Sequence, residues 1–214
     1  MKLSRPSVRR LCMILGLLEE LEMAGVSSIS SAEMGARIGA GADTLRKDFS
    51  RLGEIGGSPL GYPVEKLRLL IEDSLLLNRQ RRACVVGLGD TGFSLLSAGE
   101  IPAMGYTVVA GFDSSINRLE LLQTEIPLHP LHEIARVVRA DKIQIAIVTN
   151  RAREAANRLI EGGIQGILNL TSAILSNEGN PVWIRNLGLI EELRFLTAVM
   201  DGSKPDGDEP GGVC

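Results

Sequence analysis

Arg82-Ala-Cys-Val-Val-Gly-Leu-Gly-Asp-Thr-Gly92 decides how the rest of this chain is read. An uninterrupted apolar run, Ala83–Val86, enters Gly87-x-Gly89-x-x-Gly92, and the residues Thr91–Ser97 continue with helical spacing. Strand, glycine turn and helix in that order form the fingerprint of a dinucleotide-binding turn. Gly87 and Gly89 permit a tight turn and a close backbone approach to a pyrophosphate, while Gly92 lets helix and strand pack together. The N–H groups of the helix's first turn then face the anion. Gly87, Leu88, Gly89, Asp90, Thr91 and Gly92 are therefore the candidate cofactor-binding residues, joined by Asp113. That acid stands 24 residues beyond Gly89, at the end of the next apolar run, Tyr106–Phe112. There a carboxylate accepts hydrogen bonds from an adenosine ribose and repels a 2′-phosphate, so NAD(H) is expected over NADP(H). Arg118 reads first as a solvated surface residue, with a softening of that preference as the alternative.

Downstream, apolar runs alternate with helical patterns. Ile143–Val148, Gly166–Asn169 and Val182–Ile184 read as further strands, and Leu131–Val138, Arg153–Glu161 and Leu187–Met200 as helices. Strands that are apolar along their whole length, alternating with helices, indicate a parallel sheet covered on both faces. In the last helix Leu189, Ile190, Leu193, Leu196 and Val199 need a partner surface, which a second subunit or the same subunit's core could supply. Asp201–Cys214, rich in Gly, Pro and Asp, reads as a disordered tail.

Upstream, about eighty residues precede the fingerprint, and they follow a different period. Val8, Leu11, Leu15, Leu18 and Leu21 recur at helical spacing from Ser7 to about Ala24, and Gly25 supplies a stop. Ser30 and Ser31 offer N-caps to a short helix Ala32–Ile38, with Glu33 favouring its N-terminus. After Gly39-Ala-Gly41 a third helix starts at Asp43 or Thr44 and runs to about Leu52. Helix, short helix, glycine-bearing turn and helix make a helix-turn-helix. The turn-rich Gly53–Tyr62 suits a β-hairpin wing, and Pro63 opens a linking helix. On the third helix Leu45, Phe49 and Leu52 face inward. Thr44, Arg46, Lys47, Ser50 and Arg51 face outward, where Arg suits base edges and Lys and Ser suit phosphates. A solvated amphipathic helix would show the same charges; the preceding turn and following wing favour DNA contact, with Tyr62 at the wing's far end included.

The composition agrees with this division. Residues 1–82 carry 13 Lys and Arg against 10 Asp and Glu, and residues 83–214 carry 10 against 16. A mildly basic front half and an acidic back half fit a nucleic-acid module joined to a small-molecule domain. No apolar run reaches the ~18 residues that span a bilayer, and nothing resembles a signal peptide, so a cytoplasmic protein without a membrane partner is expected. Cys12, Cys84 and Cys214 form no CxxC pair, which speaks against zinc and disulfides; Cys12 and Cys84 read as small buried hydrophobes. His129 and His132, in a proline-flanked segment read as a loop entering a helix, have no acidic or cysteine cluster to complete a metal site. No nucleophile–base or hydride-transfer constellation is present, so neither catalytic residues nor a metal is assigned.

Taken together, Thr44-Leu-Arg-Lys-Asp-Phe-Ser-Arg-Leu-Gly53, Gly61-Tyr62, Val85–Gly92, Gly111-Phe-Asp113 and Gly163–Asn169 resemble the redox-sensing transcriptional repressor Rex family, from about Val8 to Met200 in the same order and spacing. The resemblance implies an α/β protein in which a winged helix-turn-helix domain (1–78) precedes a Rossmann NAD(H)-binding domain (79–186). A C-terminal dimerisation helix (187–200) and a tail (201–214) follow. It further implies a homodimeric repressor that binds operator DNA, takes NADH/NAD+ as effector, exchanges the C-terminal helix between subunits and releases DNA on binding NADH.

The departures from the family pattern have a common physical direction. The family's usual Tyr near the nicotinamide aligns with Ala98, its partner Asp with Gly188, and an Arg on the first helix with Gly16. A Val-Pro pair after the third strand is replaced by Asn150-Arg151, and a wing cation by Ser58 beside Pro59. Without side chains that bond differently to the two nicotinamide states, NADH and NAD+ bind alike, and redox discrimination is expected to be weak. The competing readings are an NAD-dependent oxidoreductase with an N-terminal helical cap and an interaction scaffold that has lost both ligands.

Overall fold

The computed structural model describes residues 3–53, 61–97, 105–176, 179 and 181–202. They divide into two compact units, one ending at Arg79 and the next starting at Gln80.

In the first unit, helix α1 (Arg5–Met23) starts where Ser4 accepts a hydrogen bond from Ser7 N–H. It buries Leu11, Ile14, Leu18 and Leu21 along one stripe. Strand β1 (Ser28–Ile29) leads into α2 (Ser31–Ile38), whose N-terminus is a full capping box. The Ser30 hydroxyl accepts from Glu33 N–H, and the Glu33 carboxylate accepts from Ser30 N–H. Gly39, in the left-handed conformation, ends α2, and α3 (Ala42–Ser50) follows after Gly41. Strand β2 (Tyr62–Pro63) pairs antiparallel with β1, Ile29 opposite Tyr62. Helix α4 (Val64–Ser74) then packs Val64, Leu67 and Ile71 into the core made by α1, α2 and α3. This is a helix-turn-helix with a small sheet behind it; residues 54–60 of the expected wing lie outside the described residues.

The second unit is built on one six-stranded parallel sheet. Its strands are β3 (Arg81–Val86), β4 (Tyr106–Asp113), β5 (Leu128–Pro130), β6 (Ile145–Val148), β7 (Gly166–Asn169) and β8 (Trp183–Asn186). They lie in the order β5-β4-β3-β6-β7-β8. Strands added outward on one side and then on the other leave a crevice at the carboxyl ends of β3 and β6, the topological switch point where doubly wound sheets take ligands. Helix α5 (Asp90–Ser97) follows the glycine turn, α6 (Ile116–Leu121) follows β4, and a 3-10 turn (Leu131–Glu133) leads into α7 (Ile134–Ala140). Helix α8 (Ala152–Gly162) packs Ala155, Ala156 and Leu159 against α7 and the sheet.

Three expectations need correction. His129 lies on edge strand β5, not in a loop, its ring 5.7 Å from that of Phe112. Three residues alternating around two prolines carry too little periodicity to reveal a strand. Helix α6 was not expected either, because none of its six side chains is fully buried and Leu119 packs only partly against the core. Cys12, read as buried, is exposed on α1, whereas Cys84 is fully buried on β3, where burial pushes its thiol up to about 12.

The last helix, α9 (Leu189–Gly202), extends two residues past its expected end. Its apolar residues are open to solvent in the single chain: Leu189 is 70% exposed, Phe195 67%, Leu196 52% and Met200 70%. Residues 203–214 lie outside the described residues.

Candidate functional site

The glycine turn sits at the switch point, and its close contacts explain the residue types. Gly87 has φ +93°, and a β-carbon there would lie 2.7 Å from Asn150 Cβ and 2.8 Å from Thr149 Oγ1. At Gly92 a β-carbon would fall 1.8 Å from the Gly87 carbonyl oxygen. Gly89 differs: nothing lies within 4 Å of its β-carbon position, so the middle of the turn faces open space. The first helical bond of α5 runs from Phe93 N–H to Gly89 O. The N–H groups of Asp90, Thr91 and Gly92 consequently have no intrahelical acceptor, and they converge on the same end of the helix. A cradle closed by backbone on two sides and open on the third, with unpaired donors at its rim, fits a pyrophosphate.

Leu88 contributes differently from its neighbours. Its side chain is buried beside Val85 and Leu96, and its N–H donates to Asp113 Oδ2 at 2.7 Å. That donor braces the turn and is spent before any ligand arrives.

Thr149 and Asn150, after β6, complete the turn's support and were not singled out from the sequence as ligand-site residues. The Thr149 hydroxyl donates to the Gly87 carbonyl at 2.6 Å, and Asn150 Oδ1 accepts from Arg151 N–H at 2.7 Å. Arg151 takes a left-handed φ of +52° at the start of α8. The available signal was a small polar residue closing the apolar run Ile143–Val148, a pattern too common to mark a site without the strand order.

Asp113, at the carboxyl end of β4, is 3% exposed. Its Oδ1 accepts from Ser115 N–H (2.8 Å) and Arg118 Nη1 (3.1 Å), its Oδ2 from Leu88 N–H (2.7 Å) and Arg118 Nη1 (3.0 Å). Burial alone would raise its pKa, but the hydrogen bonds from Ser115, Leu88 and Arg118 and the Arg118 charge together hold it below the usual Asp value. The carboxylate is thus ionised and saturated with donors.

In the first unit α3 presents the expected two faces. Leu45, Asp48 and Phe49 are buried, while Thr44, Arg46, Lys47 and Ser50, and Arg51 at the cap, are exposed. Arg46 Nη1 donates to the Ser31 hydroxyl at 2.8 Å, and its Nη2 pairs with Asp43, which holds the guanidinium against the start of α2. The Ser50 hydroxyl donates to its own helix, to Lys47 O at 3.0 Å. Tyr62 is half-buried on β2, edge-on to Phe49 at 5.0 Å, so its ring belongs partly to the core. Asp48, invisible to a reading of the outward face, proves to be a tie: its buried carboxylate accepts from Arg10 Nε of α1 at 2.8 Å and lies 3.8 Å from Arg51.

Of the departures from the family pattern, Gly16, Gly188 and the Asn150-Arg151 pair lie within the described residues. Gly16 lies on α1 with open space where a β-carbon would stand. Gly188 is buried, and its β-carbon position is 1.9 Å from Glu191 Oε2, an oxygen buried without a hydrogen-bond partner among the described residues. Ala98, like Ser58 and Pro59, lies outside the described residues.

Comparison with known proteins bears on both units. Residues 2–50 match the family described as "Putative DNA-binding protein N-terminus". The redox-sensing transcriptional repressor Rex of Pediococcus pentosaceus is 32% identical over 203 residues, covering 94% of this chain and 97% of the relative. Rex of Roseiflexus sp. is 32% identical over 193 residues, covering 89% and 87%. Among solved structures, RSP in complex with β-NAD+ and operator DNA superposes with a TM-score of 0.82 at 25% identity, covering 94% of each chain. RSP in complex with β-NADH reaches 0.79 at 23% identity and shares the fold. With the helix-turn-helix, the doubly wound sheet and near full-length matches all in agreement, the chain belongs to the Rex family of redox-sensing transcriptional repressors.

Proposed function

We propose that this protein is a homodimeric transcriptional repressor, acting in the cytoplasm, that binds operator DNA and takes NAD(H) as its effector. One observation carries the reading: the open glycine cradle stands at the switch point of a 3-2-1-4-5-6 sheet, in a chain whose other unit is a helix-turn-helix. Gly87, Gly89 and Gly92 admit the pyrophosphate, and the N–H groups of Asp90, Thr91 and Gly92 bind it. A bound dinucleotide supplies a nicotinamide whose charge and shape change with oxidation state; the chain's own residues must convert that change into a preference for one conformation. Arg46 and Lys47, supported by Thr44, Ser50 and Arg51, contact DNA, and Tyr62 orients the base of the wing. The exposed apolar face of α9 supports dimerisation, since burying a Leu or Phe side chain contributes about 1.5–3 kcal/mol. The relatives are transcriptional repressors, and regulation without catalysis is the role assigned here. Among the described residues no helix is long and apolar enough to cross a membrane.

The absence of polar side chains at Ala98, Gly188 and Gly16 gives the effector input a second property: NADH and NAD+ are held by the same adenosine-side contacts and are poorly distinguished. Selection of bound DNA from a random pool, run without nucleotide, with NADH and with NAD+, tests both parts. Enrichment of a palindromic site, with release that is similar for the two nucleotides, is the expected outcome. No enrichment would refute the repressor reading, and release by NADH alone would refute the loss of discrimination.

A further inference from the structure

The expectation that Asp113 reads the adenosine ribose, and excludes a 2′-phosphate, depends on a carboxylate with lone pairs to spare. An ionised carboxylate offers about four acceptor sites, and the Asp113 oxygens already take two contacts each, from Ser115 N–H, Leu88 N–H and twice from Arg118 Nη1. Its charge is offset by the guanidinium 3.0 Å away. The group that meets solvent here is Arg118, 43% exposed where Asp113 is 3% exposed. Only Nη1 is used on Asp113; Nη2 makes no hydrogen bond among the described residues. Arg118 is also held in place from its backbone, since its N–H donates to the Ser115 hydroxyl at 3.3 Å. In a doubly wound sheet the carboxyl end of the second strand, beyond the glycine turn, is where the adenosine 2′ position comes to rest.

We propose that the 2′ subsite of this protein is read by Arg118 with Asp113 as its buried anchor, so that a dinucleotide bearing a 2′-phosphate is accepted as well as one bearing a 2′-hydroxyl. This rests on the dinucleotide reading above. The physical reason is a change of sign. A free carboxylate repels a phosphate and bonds a diol, whereas an exposed guanidinium, anchored from behind by the buried carboxylate, presents a planar donor fork suited to phosphate. Asp113 in this arrangement is a positioning residue, fixing both Arg118 and the Leu88 corner of the turn.

Fluorescence titration of the purified full-length protein with NADH and with NADPH, on wild type, Arg118→Ala and Arg118→Lys, separates the possibilities. The expected result is NADPH affinity within about tenfold of NADH in wild type, a loss of at least about tenfold for NADPH alone in Arg118→Ala, and partial retention in Arg118→Lys. Wild-type NADPH binding weaker than NADH by more than about tenfold overturns the inference, as does an equal loss of both ligands in Arg118→Ala. Failure of wild type to bind NADH would instead sink the dinucleotide reading, and the inference with it. Because the cation is kept in Arg118→Lys, a folding defect confined to Arg118→Ala does not protect the proposal: NADPH binding by the Lys variant no stronger than the Ala variant's also overturns it.

Discussion

Gly92 cannot be anything else in this backbone, because a β-carbon would sit 1.8 Å from the Gly87 carbonyl oxygen, an atom held by the Thr149 hydroxyl. Gly92→Ala must therefore push strand β3 and helix α5 apart. We expect it to weaken NADH binding by at least about tenfold in a fluorescence titration while leaving nucleotide-free operator binding intact; unaltered NADH affinity would contradict the cradle. Asp113 carries a pH signature. Its pKa is lowered in the folded state, so the stability it contributes is present above the unfolded value of about 4 and lost as pH falls through the lowered one. Urea midpoints measured between about pH 2 and 6 should fall more steeply with acid for wild type than for Asp113→Asn. Parallel slopes would show that the carboxylate is not clamped as described. Both residues were legible in the sequence as types at a spacing. What Asp113 does was not, because its donors come from Leu88, 25 residues away, and from a helix whose short length hid it.

At the scale of elements, α3 is the part of the DNA module whose orientation matters most, and a buried ion pair sets it. Arg10 of α1 donates to Asp48, whose side chain is 2% exposed, while Arg51 stands farther off at 3.8 Å. Removing one partner leaves a buried charge with poor compensation, so Arg10→Ala should cost about 3 kcal/mol in the unfolding of the first unit, followed by urea denaturation. A change under about 0.5 kcal/mol would assign the pair to the solvated surface. Asp48 lies between outward Lys47 and inward Phe49 in the sequence, and only contact with α1 reveals which way its charge is spent. Helix α9 illustrates the opposite case. Its apolar pattern was plain, but whether it folds back on its own subunit was not, and the exposure of Leu189, Phe195 and Leu196 excludes that core for these residues. Leu193→Asp with Leu196→Asp should turn a dimer into a monomer by light scattering at micromolar concentration; persistence of the dimer would place the interface elsewhere.

For the molecule as a whole, the question is how a nucleotide state reaches DNA. A ligand moves an equilibrium only through its differential affinity for the two conformations. On the proposed reading, the positions that would sense the nicotinamide carry only Ala98, Gly188 and Gly16, while the glycine turn proposed to hold the pyrophosphate is present. Gly188→Asp requires the Glu191 carboxylate to swing away from the β-carbon position and Thr171 O, at 3.2 Å, to give by a few tenths of an ångström. Combined with Ala98→Tyr, it should raise the NADH-to-NAD+ affinity ratio by at least about tenfold, or about 1.4 kcal/mol. An unchanged ratio in titrations of the two nucleotides would show that discrimination resides elsewhere.

By itself the sequence determined the two-unit architecture, the glycine turn and the outward face of α3, because those follow from local period and from residue types that few backbones tolerate. Only the tertiary structure decided that Asp113 is saturated by Leu88, Ser115 and Arg118, that Thr149 holds the turn from the end of a strand far away in the chain, and that the apolar residues of α9 are exposed among the described residues. Each of these depends on which strands lie side by side. The physical reason is that hydrogen-bond capacity and burial are properties of neighbours in space, and the strand order that makes them neighbours is not written in any one segment.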